Sequence, residues 1–85
     1  MKLKPKDTSK PNEEQGMYQK FEVTRTDGSS GPGGKHEGCS YFVLDVDHDP
    51  YAKAAMIAYA CACYQSHPQL SDDILQACQK IEEQK

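Results

Sequence analysis

The chain has 85 residues, a formal net charge of -3 at pH 7 and a pI near 5.5. This acidic balance argues against a protein that binds nucleic acid by neutralising phosphates. At this length we expect one small domain whose core is only marginally stabilising, so that a second copy, a metal or a partner could contribute to its stability. The longest apolar run, residues 54–64, is too short to cross a bilayer. With no evident secretory leader, we expect a cytoplasmic protein without membrane contact.

The N-terminal segment 1–16 (MKLKPKDTSKPNEEQG) combines lysines, two prolines and polar residues with almost no apolar side chains. Such a composition cannot offset the entropy that is lost when a segment becomes ordered. We therefore predict a disordered tail over residues 1–16 and a single domain over residues 17–85.

Two segments carry strand patterns. Residues 18–26 (YQKFEVTRT) alternate apolar and polar side chains, which is typical of a half-buried strand. Residues 40–47 (SYFVLDVD) are apolar on both faces and predict a central strand. Between them, residues 27–39 hold five glycines and a proline, and long loops of this kind are often functional.

Two helices are predicted after the second strand. Asp49 and Pro50 are a favourable helix start, and the first helix should run to about Ser66. It is apolar all round over residues 54–64 (AAMIAYACACY), so we expect it to be buried on several sides. The second helix should begin at Ser71, a good cap, and present one apolar stripe. Together these elements predict an α+β fold: a small antiparallel hairpin or sheet with two C-terminal helices packed on it.

The glycine-rich loop is the first candidate site. Its backbone amides could approach an anion closely, with positive charge from Arg25, Lys35 and His36. It is not a Walker A loop, because that pattern requires glycine at Ser29 and serine or threonine at His36, and leads into a helix. The alternatives are contact with a partner protein and a plain mobile connection.

Metal binding and cysteine catalysis are two further hypotheses. His36 and Cys39 have ligand-like spacing and His48 lies close in sequence, but the paired Cys-x-x-Cys of zinc knuckles is absent. Cys39 with His36 or His48 also supplies the residue types of a small hydrolase or nuclease. We expect neither a metal nor another cofactor. The four cysteines are interpreted as buried free thiols rather than disulfides.

The first helix offers another kind of site. Tyr51, Tyr59 and Tyr64 alternate with small residues, and tyrosine is favoured at protein interfaces. Core packing with the phenol oxygens at the edge is the alternative. Because an isolated hairpin is marginally stable, we expect a homodimer, formed by continuing the sheet or by pairing the helices.

The run RTDGSSGPGGKHEGCSYFVLDVDHDPYAKAA resembles a group of small phage and prophage-encoded proteins of unassigned activity. The shared order is Arg-Thr-Asp-Gly, Pro-Gly-Gly-Lys-His, Gly-Cys, Tyr-Phe-Val-Leu-Asp and His-Asp-Pro, over about residues 21–63. The resemblance implies a phage accessory protein located in the host cytoplasm, and it supplies no catalytic residues.

These observations favour a non-enzymatic binding protein. With the resemblance, its expected role is stoichiometric inhibition of a host factor, for example a defence component. The second hypothesis is a protein that sequesters or senses a small anion such as a nucleotide, and the third is the Cys/His enzyme. For the first two hypotheses the contact residues are the same: Arg25, Asp27, Gly33, Gly34, Lys35, His36, Tyr41 and Asp45.

Overall fold

The structure, a computed structural model, describes residues 2–83. It contains a short 3-10 turn at Asn12–Glu14 and two α-helices, α1 (Ala52–Cys63) and α2 (Pro68–Glu83). The chain divides into two compact units, one reaching to Val43 and the other beginning at Leu44. The first holds the glycine-rich loop and the second holds both helices. The predicted division at residue 16 into a tail and a domain stays a prediction.

The α+β prediction is wrong. Within residues 2–83 there is no β-strand, and β-type pairing is limited to one isolated parallel bridge between Lys4 and Tyr18. The segments 18–26 and 40–47 carry strand patterns but form no backbone ladder with each other. Their apolar side chains are accordingly poorly covered: Phe21 is 48% exposed and Phe42 is 68% exposed. Alternation of apolar and polar side chains marks a segment that can pair as a β-strand. Here the turns between the two segments do not bring them into register with each other.

Helix α1 is shorter at both ends than the predicted span of 50–66. Asp49 acts just before the helix, where its Oδ1 accepts a hydrogen bond from the Tyr51 N–H at 2.8 Å. The backbone leaves the helix after Cys63 through a turn, in which Ser66 Oγ donates to the Cys63 carbonyl at 3.3 Å. The predicted burial on several sides is not found, because the buried residues of α1 are Ala52 and Ala60.

Helix α2 begins at Pro68 rather than at the predicted Ser71. Proline suits the first helical turn because its missing N–H costs no hydrogen bond there. Ser71 therefore lies inside the helix, where it is 2% exposed and donates from Oγ to the Ala60 carbonyl at 2.7 Å. The expected stripe is present in part, since Cys78 is buried while Leu75 is 44% exposed.

The two helices pack against each other through small residues. Ala60 on α1 is fully buried, and Ser71 on α2 reaches its carbonyl. Small side chains at this contact let the helix axes approach closely, but they bury little apolar surface. The helical unit is therefore held by a small core and leaves much of α1 uncovered.

Candidate functional site

The glycine-rich segment folds as a chain of consecutive turns. Successive backbone N–H groups donate to the carbonyl three residues earlier, from Gly28 to Arg25 at 3.1 Å through Gly34 to Gly31 at 2.9 Å, and onward to Cys39. One hydrogen bond joins residues that are further apart in the sequence: the His36 N–H donates to the Ser29 carbonyl at 2.9 Å and holds the second half of the segment against the first. The loop is thus internally organised, although it contains no strand or helix.

Gly34 is the position where this arrangement depends on glycine. A Cβ built at Gly34 would lie 2.1 Å from the Ser29 carbonyl oxygen and 2.7 Å from the Ser29 carbonyl carbon. Both are backbone atoms, so no side-chain rotation relieves the overlap. The structure gives Gly34 a packing role within the loop. Its predicted role in ligand contact stays a prediction.

Two carboxylates of the loop accept hydrogen bonds from its backbone amides. Asp27 Oδ1 accepts hydrogen bonds from the Ser29 N–H at 2.9 Å and from Ser29 Oγ at 2.6 Å. The hydroxyl bond, followed by the backbone bond, lowers the pKa of Asp27. Glu37 Oε2 accepts from the Gly33 N–H at 2.5 Å. Two amides that could have bound an external phosphate, those of Ser29 and Gly33, are therefore already bonded to the protein's own carboxylates.

Arg25 and Tyr41 join the two ends of the loop. Arg25 Nε donates to Tyr41 Oη at 2.9 Å, and the guanidinium carbon lies 5.6 Å from the Tyr41 ring centre. The Arg25 N–H donates to Ser30 Oγ at 2.9 Å. The pKa of Arg25 is raised, chiefly by the Tyr41 hydrogen bond, with smaller contributions from the charges of Asp27 and Cys39. This side-chain bridge, rather than a strand ladder, brings residues 25 and 41 together.

Cys39 and His36 also converge. The Cys39 Sγ lies 3.8 Å from His36 Nδ1, within reach of a weak thiol hydrogen bond. Cys39 is exposed and His36 is half-buried. The i, i+3 spacing in the sequence suggested such a pair, and the turn between the two residues places them on the same side.

Two further residues singled out in the sequence, Asp45 and His48, lie in the second unit. Asp45 shapes the turn ahead of α1: its Oδ1 accepts from the N–H groups of Asp47 and His48, and its Oδ2 lies 3.0 Å from His48 Nδ1. These contacts, led by the His48 side chain, lower the pKa of Asp45. The structure thus groups six of the eight predicted contact residues tightly in the loop, leaves Lys35 exposed on it, and gives Asp45 a local structural role.

A metal centre is not assembled from the weak candidates. His36 and Cys39 are together, but His48 pairs with Asp45 in the other unit. Across residues 2–83, no group of three or more His, Cys, Asp or Glu side chains is arranged to hold a metal ion.

Comparison with protein-family models, curated protein sequences and solved structures gave no significant match. Neither of the helices described here is long and apolar enough to cross a membrane.

Three residues that organise the loop were missed at the sequence level: Ser29, Ser30 and Glu37. For Ser29 a signal exists, because an aspartate followed by Gly-Ser is a common turn in which the carboxylate accepts from the residue two positions on. Ser30 and Glu37 act over four or five residues in an irregular loop, and no local pattern indicates such contacts.

Proposed function

We propose that this chain is a non-enzymatic binding protein that works as a homodimer, with α1 as the dimer contact and the glycine-rich loop as the surface for a target protein. The observation that carries this proposal is the exposed face of α1. Residues 54–64 contain no charged side chain, yet Ala60 is their only buried member.

The outer face of α1 is the side turned away from α2. At 100° per residue, it lies opposite the buried positions 52 and 60. Its exposed members are Ala54, Ile57, Ala58, Cys61 and Ala62. Tyr51, just before the helix, and Tyr64, just after it, flank this face and are exposed by 78% and 63%, whereas Tyr59, exposed by 61%, lies nearer the buried positions. A continuous apolar patch framed by aromatic side chains is typical of an interaction surface.

A second copy of the chain suits this face. Of the two dimer geometries that the sequence allowed, sheet continuation lacks a strand in the described part of the chain, which leaves helix pairing. Small residues such as Ala54 and Ala58 let two helices approach closely, while Tyr51 and Tyr64 offer aromatic surface at the two ends of the contact. In the resulting dimer, the second copy would cover the face of α1 that α2 leaves exposed.

The loop suits a protein target better than a small anion. Its exposed charges are mixed, with Asp27 and Glu37 beside Lys35, and its carboxylates already occupy amides at Ser29 and Gly33. A loop that is held by its own hydrogen bonds loses little conformational entropy when it binds. Its charges of both signs can make specific contacts with a protein. The resemblance to phage proteins implies only a phage accessory context; within that context we propose that the target is a host factor and that the chain inhibits it by stoichiometric binding.

Replacing Ala58 with glutamate is expected to convert the dimer to a monomer, because each copy would bury a carboxylate in the apolar contact. Gln79→Glu is the matched control, since it adds the same charge to an exposed position of α2. Light scattering coupled to size-exclusion chromatography measures both masses. If Ala58→Glu and Gln79→Glu behave alike, the outer face of α1 is not the contact.

The target surface is tested with the immobilised chain and host-cell lysate. We expect one protein to be captured at one copy per chain, and its recovery to fall about tenfold for Lys35→Ala and for Tyr41→Ala baits, as for the loss of about 1.4 kcal/mol of binding. Lys10→Ala, an exposed lysine outside the loop, should keep full recovery. Release of a nucleotide-sized ligand from the purified chain, abolished by Lys35→Ala alone, would instead support the anion hypothesis.

A further inference from the structure

We infer that Cys39 is a reactive thiol that forms a mixed disulfide with a small disulfide compound, with His36 as the base that takes the thiol proton. The inference is independent of the binding role proposed above. It rests on the pairing of Cys39 with His36 and on a cavity whose lining includes Cys39.

The pair has the geometry that thiol chemistry needs. His36 Nδ1 lies 3.8 Å from Cys39 Sγ, so a neutral imidazole can accept the thiol hydrogen. The thiolate rather than the thiol is the nucleophile.

A cavity of about 380 Å³ includes Cys39 in its lining. Phe21, Val23 and Tyr41 contribute apolar surface to it, Gln19 and Ser40 are polar, and Lys2 and Glu22 supply one charge of each sign. This volume lies in the range of small-molecule sites. A mixed lining with charges of both signs suits a peptide disulfide such as oxidised glutathione, which carries both ammonium and carboxylate groups.

The other cysteines lack this setting. All four are free thiols, of which Cys78 is buried and Cys63 is half-buried. The interpretation of the cysteines as buried thiols therefore holds for Cys78 and fails for Cys39 and Cys61. Cys61 is exposed but lies on α1, where its neighbours are alanines and no histidine is within a helical turn. Because the proposed dimer contact would cover it, Cys61 serves as a reference for an exposed thiol without a base only at dilutions where the chain is a single copy.

The exchange step balances with a small disulfide as the oxidant. The Cys39 thiol gives its proton to His36 Nδ1, and the thiolate attacks one sulfur of the disulfide. A bond forms between Cys39 Sγ and that sulfur, while the original sulfur–sulfur bond breaks. The second half leaves as a thiolate and recovers the proton from His36. Cys39 is oxidised and one molecule of small thiol is released.

The test is incubation of the full chain with oxidised glutathione at pH 7, at a dilution where the chain is a single copy and Cys61 is uncovered, followed by intact mass and peptide mapping over time. We expect the first glutathione to attach to Cys39, about tenfold or more faster than to Cys61, in line with the usual size of acid–base assistance. Because both rates come from the same molecules, the ratio requires no variant. Equal rates at Cys39 and Cys61 would overturn the inference.

Variants then separate His36 from simple exposure. His36→Ala should slow modification of Cys39 by about tenfold or more while leaving the Cys61 rate unchanged. Cys61→Ser should leave the Cys39 rate as in the wild type, and Cys39→Ser should remove the fast phase. A His36→Ala chain that modifies Cys39 at the wild-type rate would contradict the role of His36, and circular dichroism confirms that the variants remain folded.

Discussion

Alanine at position 34 is expected to dismantle the turns between Arg25 and Cys39. Its Cβ would stand 2.1 Å from the Ser29 carbonyl oxygen, so the backbone must separate at that point. Separation breaks the bond from the His36 N–H to the Ser29 carbonyl, which ties the two halves of the loop together. Overpacking against backbone atoms, together with the lost hydrogen bond, should cost about 3 kcal/mol or more of loop stability.

Hydrogen exchange of individual amides measures this effect directly. With a cost of about 3 kcal/mol, the His36 and Glu37 amides should exchange about a hundredfold faster in Gly34→Ala than in the wild type. Gly31→Ala is the matched control within the same loop, because its Cβ would meet its nearest neighbour, the Gly28 carbonyl oxygen, at an ordinary 3.4 Å. Unchanged protection of His36 in Gly34→Ala would show that the loop is not packed as described.

Leucine at position 60 is expected to unfold the helical unit. Ala60 is fully buried where α1 meets α2, and its carbonyl accepts the Ser71 hydroxyl. A larger side chain pushes the helices apart, which strains the packing by about 1–3 kcal/mol and removes a hydrogen bond worth about 1 kcal/mol. Because the remaining core consists of a few small residues, little is left to hold the helices together.

The expected result is a loss of most of the helical circular dichroism at 25 °C. Ala55→Leu is the control, since it places the same side chain on an exposed position of the same helix outside the proposed dimer face and should leave the spectrum unchanged. An Ala60→Leu chain that melts at the wild-type temperature would mean that α1 and α2 do not pack through this contact.

Both helices could be predicted from the sequence, because proline, aspartate and apolar content act locally. Their boundaries were harder to predict. Ser71 followed by two aspartates has the form of a helix start, yet Pro68 begins the helix, and the serine is used to reach Ala60 on the neighbouring helix. That contact depends on how two helices pack, which a local capping pattern does not contain.

The two strand predictions were wrong for a related reason. Alternation at residues 18–26 and an apolar run at 40–47 indicate segments that could pair, but pairing requires a connection that brings them into register. The turns over residues 25–39 join the segments through Arg25 and Tyr41 instead. The same two residues had been assigned to a contact surface from their chemistry alone. Their proximity was foreseeable from neither propensity nor periodicity.

The association of two chains through α1 is measured most directly by sedimentation equilibrium of the wild-type protein over a series of concentrations. The proposal predicts a mass of twice the 9.5 kDa chain, falling toward the single-chain mass on dilution. It also predicts that Ala58→Glu sediments as the single chain throughout. A wild-type mass of one chain at every concentration would contradict the account of the outer face of α1.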